Sequence, residues 1–193
     1  FTLIFFSKIK IIYPFITILS SILPLYILAR SSTYRLSRIE TWLSRKCDYG
    51  VDLLGDCFQL NQSRIAISSG GLFGLGPGTS RARWGSLPNS YSDFISSIIG
   101  EEYGFFGLFL LVIAFFILIC STFYIAIKEN SEIKKLVSIG FGSWIFFQTV
   151  INLGGAVGLI PITGIVLPFV SYGSSAMVSI FIALGIMYSK DYE

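Results

Sequence analysis

The sequence predicts an all-α polytopic membrane protein. Of its 193 residues, 53% are hydrophobic and only 13% are charged, and the mean hydropathy is +0.74. This composition lies outside the usual range of soluble domains. Four uncharged windows reach roughly the 20 residues that a helix needs to cross a hydrocarbon core of about 30 Å. These windows are residues 11–29, 104–127, 136–160 and 162–189.

A long polar segment, residues 30–103, follows the first window. Within residues 34–46, apolar side chains recur at helical spacing while arginine and lysine occupy the other faces. This pattern predicts a basic amphipathic helix that lies on the membrane, and a connector helix packed on the rest of the protein is an equal alternative. The glycines of residues 70–78 break regular structure, which suits either a nest of N–H groups for phosphate oxygens or a plain turn. The segment lacks the Gly-Lys-Ser/Thr ending of a nucleotide-binding loop.

The remaining windows are predicted to form three further membrane spans. Residues 104–127 are far longer than an ordinary buried core helix, and the last two windows, separated only at Pro161, predict a helical hairpin with a tight turn. Lysines near the ends of the windows all fall on one side, which the positive-inside rule makes cytoplasmic. Residues 30–103 are then extracytoplasmic, because loops of this length translocate largely regardless of charge. The lysines are Lys8, Lys10, Lys128, Lys134, Lys135 and Lys190.

Cysteine and histidine usage excludes some site classes. Histidine is absent and the three cysteines are scattered, so a zinc site of Cys/His type has no support. Cys47 and Cys57 lie in the same loop and can pair if it faces an oxidising compartment, although their spacing does not decide this. The chain begins at Phe1 in apolar sequence without a signal-peptide pattern, so we expect it to be the C-terminal part of a longer protein.

Three acidic residues, Asp93, Glu101 and Glu102, directly precede or enter the second apolar run. Ionised groups are costly inside hydrocarbon and are normally held at its edge, in a cavity or in a functional site. Catalysis is one explanation of these acids. Structural explanations compete with it: Asp93 as the N-cap of a helix entered at Phe94, and Glu102 as a partner of free N–H groups in the first helical turn. Glu101 is a candidate for lining the site.

Basic and polar residues supply candidate ligands for a phosphorylated lipid. Arg64, Arg81 and Arg83 flank the glycines, and guanidinium groups bind diphosphate oxygens bidentately. Contact with anionic lipid head groups is the alternative. An anion site beside an acid or base is what transfer from a phosphorylated lipid requires.

The last apolar window contains a polar interruption near Pro168. Polar residues and broken helices are tolerated in spans where they line a cavity or pack on other helices. Ser171, Tyr172 and Ser175 are therefore candidates for contact with a lipid substrate, and helix packing is an equally plausible role.

Three ordered motifs resemble the SEDS family (shape, elongation, division and sporulation), which includes FtsW, RodA and SpoVE. They are NQSRIAISSGGLFGLGPG at 61–78, LPNSYSDFISSIIGEEYGFFG at 87–107 and INLGGAVGLIPITGIVLPFVSYGSS at 151–175. GEE at 100–102 together with GPG at 76–78 is more similar to FtsW than to RodA. The resemblance implies a bundle of about ten transmembrane helices, of which this chain matches the last four and the large extracytoplasmic loop.

The resemblance also implies an activity. Family members polymerise lipid II, the undecaprenyl-diphosphate-linked disaccharide pentapeptide, and act with a class B penicillin-binding protein and other division proteins in the bacterial cytoplasmic membrane, at the septum for the division member. The family's catalytic aspartate falls on Asp93, the expected general base, and Mg²⁺ or Mn²⁺ is the implied cofactor. Gln62 and Ser63, next to Arg64, are further candidates for substrate binding. Neither a nucleic-acid partner nor an organic cofactor is predicted.

The chain departs from the family pattern in both motifs near these residues. The usual LPEAHTDF is LPNSYSDF here, with Asn89 in place of the acid, Tyr91 in place of histidine and Ser92 in place of threonine, and the usual PTKG is PITG, with Thr163 in place of lysine. Two alternative functions stay open. One is a lipid II flippase, which needs polar groups at mid-membrane depth, and the uncharged spans contain few of them. The other is a non-catalytic scaffold that binds division proteins.

Overall fold

The computed structural model describes residues 12–30, 32–45, 47, 55 and 57–189. Within this part of the chain the secondary structure is helical, with one 3₁₀ helix and no strand, which confirms the predicted all-α class. The helices are α1 Ile12–Arg30, α2 Thr33–Leu43, α3 Phe58–Ser69, α4 Ile95–Lys128, α5 Glu132–Val157 and α6 Ser174–Tyr188, and the 3₁₀ helix is Ala82–Trp84.

Two of these helices, α4 and α5, are long and apolar enough to cross a membrane by length and composition. Their most apolar windows have mean hydropathies of 2.8 and 1.5. The described apolar stretch of α1, Phe15–Pro24, and the 15-residue helix α6 are shorter than the roughly 20 residues of a full span. The predicted spans 11–29 and 162–189 therefore stay predictions.

The main core lies where α4, α5 and α6 meet. α4 packs along α5, and the residues that follow α5 fill the space beside α6. Ile145 and Ile180 are fully buried, and Leu167 is almost fully buried between them and the other helices. The core also contains Phe115, Phe141 and Met187.

Helix α4 begins at Ile95, nine residues before the predicted start at residue 104. Gly104 instead marks a break, with φ 66° and ψ −159°. Before the break, carbonyl groups of α4 accept N–H groups of the glycine-rich segment 70–78, and after it N–H groups of α4 donate to carbonyls of that segment, at distances of 2.9–3.2 Å. The residues before the break are therefore helical because the loop supplies the partners that the break removes. The bonds run from Phe105 to Gly71, Phe106 to Leu72, Leu75 to Glu101 and Gly76 to Glu102.

The predicted tight turn between the last two spans is wrong. α5 ends at Val157, Gly158 follows with φ 84°, and residues 158–173 run without regular helix to α6. Prolines at 161 and 168 disfavour a regular helix here, since each lacks the N–H group for a helical hydrogen bond. Side chains of α5 supply hydrogen bonds to this irregular backbone. Gln148 donates to the carbonyl of Val166 at 3.0 Å, and Asn152 donates to the carbonyl of Ile165 at 2.7 Å. We call residues 158–173 the return segment.

The predicted amphipathic helix 34–46 is α2, and it packs on the protein. Arg38 donates to the Ile162 carbonyl at 2.9 Å, and Trp42 Nε1 donates to the Gly158 carbonyl at 3.3 Å. These bonds agree with the connector alternative. A disulfide joins Cys47 to Cys57, with the Cα atoms 5.3 Å apart, and so ties the end of α2 to the start of α3. Disulfides persist in oxidising compartments, which agrees with an extracytoplasmic position of the loop.

Candidate active site

Asp93 lies in the turn that leads into α4, and its side chain is partly exposed. The N-cap position belongs to Phe94, and the cap makes no side-chain hydrogen bond. Over the described residues, no hydrogen bond or ion pair engages the Asp93 carboxylate. Helix capping therefore does not explain this aspartate, and its carboxylate is available to bind a ligand or a proton.

The backbone of this turn, in contrast, is firmly held. Three consecutive peptide carbonyls, those of residues 91, 92 and 93, each accept a hydrogen bond from α5 or the return segment. We call these three bonds the carbonyl clamp. The donors are the N–H of Tyr172 to Tyr91 at 2.9 Å, the hydroxyl of Ser171 to Ser92 at 2.5 Å, and the amide of Asn152 to Asp93 at 2.9 Å.

Two side chains of the clamp also bind the return segment. Asn152 donates to the Ile165 carbonyl at 2.7 Å, and Ser171 accepts the N–H of Leu167 at 2.8 Å. Both side chains are buried, with 4% and 7% of their surface exposed. Each therefore joins the turn of Asp93 to the return segment, and the two pieces of chain hold a fixed relative position.

A small cleft beside Asp93 is formed by the return segment and α5. Its volume is about 10 Å³, which is near the minimum for one water molecule. Gly164, with φ +72°, lies at its rim, and a Cβ atom there would stand 3.5 Å from Asp93 Oδ2. Thr163, at the position of the family's lysine, is another lining residue. The cleft is too small for a ligand larger than water, so any larger ligand of Asp93 would approach from the exposed side of the carboxylate.

Glu101 lies apart from this cleft and holds the loop that carries the 3₁₀ helix. Its carboxylate accepts the hydroxyl of Ser80 at 2.6 Å and the backbone N–H groups of Arg81 and Ala82 at 3.1 Å. The side chain is only 2% exposed. The acid predicted to line the site thus has its oxygens engaged by the loop.

Glu102 is buried as well, but its environment differs. It lies beyond the first turn of α4, so the predicted pairing with N–H groups of that turn is wrong. Its Oε1 atom is buried without a hydrogen-bond partner within the described ranges.

The three candidate arginines are not brought together. Arg64, on α3, donates from Nε to the carbonyl of Val157 at 3.1 Å, at the C-terminus of α5. Arg81 and Arg83 are exposed in the loop, and the guanidinium of Arg83 stands 5.6 Å from the ring centroid of Trp84. None of the three lines the cleft beside Asp93.

The other candidate binding residues divide into buried and exposed ones. Ser63 is fully buried and its hydroxyl contacts the Ala156 carbonyl at 2.6 Å and Ser97 at 2.7 Å, so it packs α3 against its neighbours. Gln62 on α3 is half-buried. Tyr172 and Ser175 are exposed near the start of α6, where their side chains are accessible.

The described residues do not form a cage for the implied divalent cation. Nowhere in that part of the chain do three or more Asp, Glu, Cys or His side chains converge. Asp93 is the one acid that lines its cleft, and the Glu101 oxygens are engaged elsewhere. We assign no chemical step to a metal.

Sequence reasoning missed the role of Asn152. Beside the glycines at 154, 155 and 158, Asn152 suggests only close helix contact or local unwinding, whereas its amide holds the Asp93 turn. The available signal is an amide side chain inside an apolar span, where an unpaired polar group is costly. Such a residue needs a partner, but its partner lies 59 residues away in the sequence.

A family model, FTSW_RODA_SPOVE, described as a cell cycle protein, matches residues 1–193. The chain belongs to this family. Membership confirms the resemblance drawn from the three motifs and, with the two membrane-length helices, identifies the chain as part of a membrane protein.

Curated relatives carry related names. The chain is 38% identical over 180 residues to "Probable peptidoglycan glycosyltransferase FtsW" of Wigglesworthia glossinidia brevipalpis, covering 91% of the chain and 46% of the relative. It is 46% identical over 129 residues to the protein of the same name from Bacillus subtilis, covering 67% and 32%. It is also 40% identical over 160 residues to "Stage V sporulation protein E" of Bacillus subtilis, covering 83% and 43%.

A solved structure shares the fold. It is described as "Structural coordination of polymerization and crosslinking by a peptidoglycan synthase complex", and one of its chains matches with a TM-score of 0.66 at 24% identity. The match covers 96% of this chain and 50% of the other. The chain thus spans about half the length, or less, of these relatives.

Proposed function

We propose that the protein containing this chain is a peptidoglycan glycosyltransferase that polymerises lipid II during bacterial cell division. The observation that carries the proposal is the state of Asp93: its carboxylate is accessible and unengaged within the described residues, while its backbone is fixed by the carbonyl clamp. The names of the relatives support the same reaction.

In the proposed reaction Asp93 is the general base. The acceptor sugar hydroxyl gives its proton to the Asp93 carboxylate as its oxygen attacks the anomeric carbon of the donor. The bond from that carbon to the diphosphate breaks, and undecaprenyl diphosphate leaves with the electron pair. Attack opposite the leaving group converts an α-linked donor into a β-linked glycan. General-base help of this kind contributes about 10²–10⁴ in rate.

The support around Asp93 suits this role better than a structural one. A structural carboxylate is normally engaged, as Glu101 is by three donors. A general base instead needs free lone pairs and a fixed position, since small displacements of a reacting group are costly. Asp93 has both within the described chain.

The proposal extends to partners and location. A class B penicillin-binding protein that cross-links the glycan is the proposed partner, together with other division proteins, and the proposed place is the septal cytoplasmic membrane. The structural relative supports this, because it belongs to a peptidoglycan synthase complex. Mg²⁺ or Mn²⁺ stays a prediction from the family resemblance.

The test is polymerisation of labelled lipid II by the full-length protein with its penicillin-binding protein, comparing the native sequence with Asp93→Asn. We expect a loss of at least about 100-fold in polymer formed by the variant. Glu40→Gln is the matched control, since Glu40 is an exposed acid on α2 of the same loop. Equal polymer from the native protein and Asp93→Asn would remove Asp93 from the chemistry. No polymer from either would favour the flippase or the scaffold function.

A further inference from the structure

We infer that Asn152 and Ser171 are positioning residues for Asp93, and that they act through the carbonyl clamp rather than by touching the substrate. The inference rests on the proposed function, since it assigns these residues to the same catalytic centre. The sequence leaves two roles open for Ser171, contact with a lipid substrate and helix packing, and the inference favours the second.

The geometry of Asn152 carries the first step. Its amide nitrogen has two hydrogens to donate, and the structure uses the nitrogen twice: once for the Asp93 carbonyl at 2.9 Å and once for the Ile165 carbonyl at 2.7 Å. The side chain is 96% buried, so water does not replace either bond without rearrangement. The position of Asp93 relative to the return segment is therefore set by one amide group.

Ser171 makes the equivalent link one residue earlier. Its hydroxyl donates to the Ser92 carbonyl and accepts the N–H of Leu167, so it uses its hydrogen and a lone pair. A hydroxyl engaged in this way and 93% buried has little surface left for a lipid. Adjacent carbonyls, 92 and 93, are thus held from two directions, which restrains the rotation of the peptide that carries the carboxylate.

Helix α5 offers a matched control for this inference. Gln148, one turn before Asn152 on α5, is also buried and also donates to a carbonyl of the return segment, that of Val166 at 3.0 Å. It makes no bond with residues 91–93 among the described contacts. Removal of Gln148 therefore weakens the return segment in a similar way but leaves the direct support of Asp93 intact.

The experiment compares Asn152→Ala with Gln148→Ala in the full-length protein, with kcat and KM for lipid II polymerisation and the melting temperature as readouts. We expect both variants to lower the melting temperature, Asn152→Ala more than Gln148→Ala because it loses two hydrogen bonds and not one. Only Asn152→Ala should lower kcat, by about 10–100-fold with KM changed less than about threefold, because a displacement of about 1 Å at a reacting group costs up to about 10²-fold. Equal kcat values for the two variants would overturn the inference.

A second pair of variants covers the case in which Asn152→Ala does not fold. Ser171→Ala removes the clamp hydroxyl, and Ser171→Thr keeps one. We expect Ser171→Ala to have a lower kcat than the native protein, and Ser171→Thr to have a kcat close to the native value. A raised KM with an unchanged kcat in Ser171→Ala would restore the substrate-contact role and refute the positioning role.

Asp93→Asn in the same assay distinguishes a failure of the proposed function from a failure of the positioning role alone. If Asp93→Asn keeps full activity, the proposed base is wrong and the positioning role falls with it. If Asp93→Asn is inactive while Asn152→Ala behaves like Gln148→Ala, the proposed function stands and only the positioning role is refuted.

Discussion

Glu101 and Glu102 are adjacent buried acids that differ in their hydrogen bonds, and their substitution by glutamine should have different effects on stability. Glu101 accepts three hydrogen bonds, from the Ser80 hydroxyl and from two backbone N–H groups. Glu102 has an Oε1 atom that is buried without a partner in the described part of the chain. The two substitutions have the same chemistry and nearly the same place, so the difference between them isolates the hydrogen bonds.

The magnitude follows from the bonds at Glu101. A hydrogen bond to a charged group contributes about 1.5–3 kcal/mol, and a neutral one about 0.5–1.5 kcal/mol. Replacing the carboxylate by an amide lowers the contribution of each of the three bonds to the free energy of unfolding by roughly 1 kcal/mol. It also places an NH₂ group opposite a hydrogen-bond donor. Glu101→Gln should therefore cost about 3 kcal/mol or more. Glu102→Gln loses no hydrogen bond at Oε1, so it should be nearly neutral.

The assay is thermal unfolding of the purified protein, combined with hydrogen exchange at the amides of Arg81 and Ala82. A cost of about 3 kcal/mol lowers the melting temperature by roughly 6–12 °C for a domain of this size. Exchange at the two amides should accelerate in Glu101→Gln and stay unchanged in Glu102→Gln. If both variants lose the same stability, or if the amides of residues 81 and 82 stay protected in Glu101→Gln, the assignment of Glu101 as the support of this loop is refuted.

Two further predictions concern the loop. Gly74→Ala should reduce the yield of folded protein, measured by size-exclusion chromatography. At φ +83° its Cβ atom would stand 2.1 Å from the Glu102 carbonyl oxygen. Gly71→Ala is the control: it has φ +56° and no atom within 4 Å, so it should cost only about 1–2 kcal/mol. A reductant should lower the melting temperature of the native protein, because the Cys47–Cys57 disulfide contributes about 2–4 kcal/mol to its stability. The reductant should leave a Cys57→Ser variant unaffected. An equal response of this variant would contradict the prediction.

The sequence predicts the helical class well because its uncharged runs are long. Helices α4 and α5 follow from runs of roughly 20 residues or more, about twice the length that a membrane-spanning β-strand needs. The start of α4 is harder, because the helix before Gly104 depends on backbone bonds with residues 70–78, which lie about 30 positions earlier. The return segment is missed for the same reason: Gln148 and Asn152 stabilise it by contacts that a local pattern does not show.

The candidate site is predicted in part. Asp93 stands out in the sequence because an acid beside an apolar run needs an explanation. The arginines are candidates for a diphosphate because they flank the glycines in sequence, but Arg64 donates to the Val157 carbonyl while Arg83 lies beside Trp84. Asn152 is invisible as a site residue until the fold brings it to the Asp93 carbonyl.

The carbonyl clamp holds main-chain atoms, so other side chains of the Asp93 turn can change without moving the Asp93 carboxylate. Main-chain carbonyls are common to all amino acids, so the clamp itself does not depend on the identity of Tyr91 or Ser92. The turn also places Asn89 at φ 55°, a conformation that asparagine adopts more readily than most residues. The departures of LPNSYSDF from the family's usual motif thus fall on positions whose support is carried by the backbone, and tolerance to substitution should end at Asn152 and Ser171.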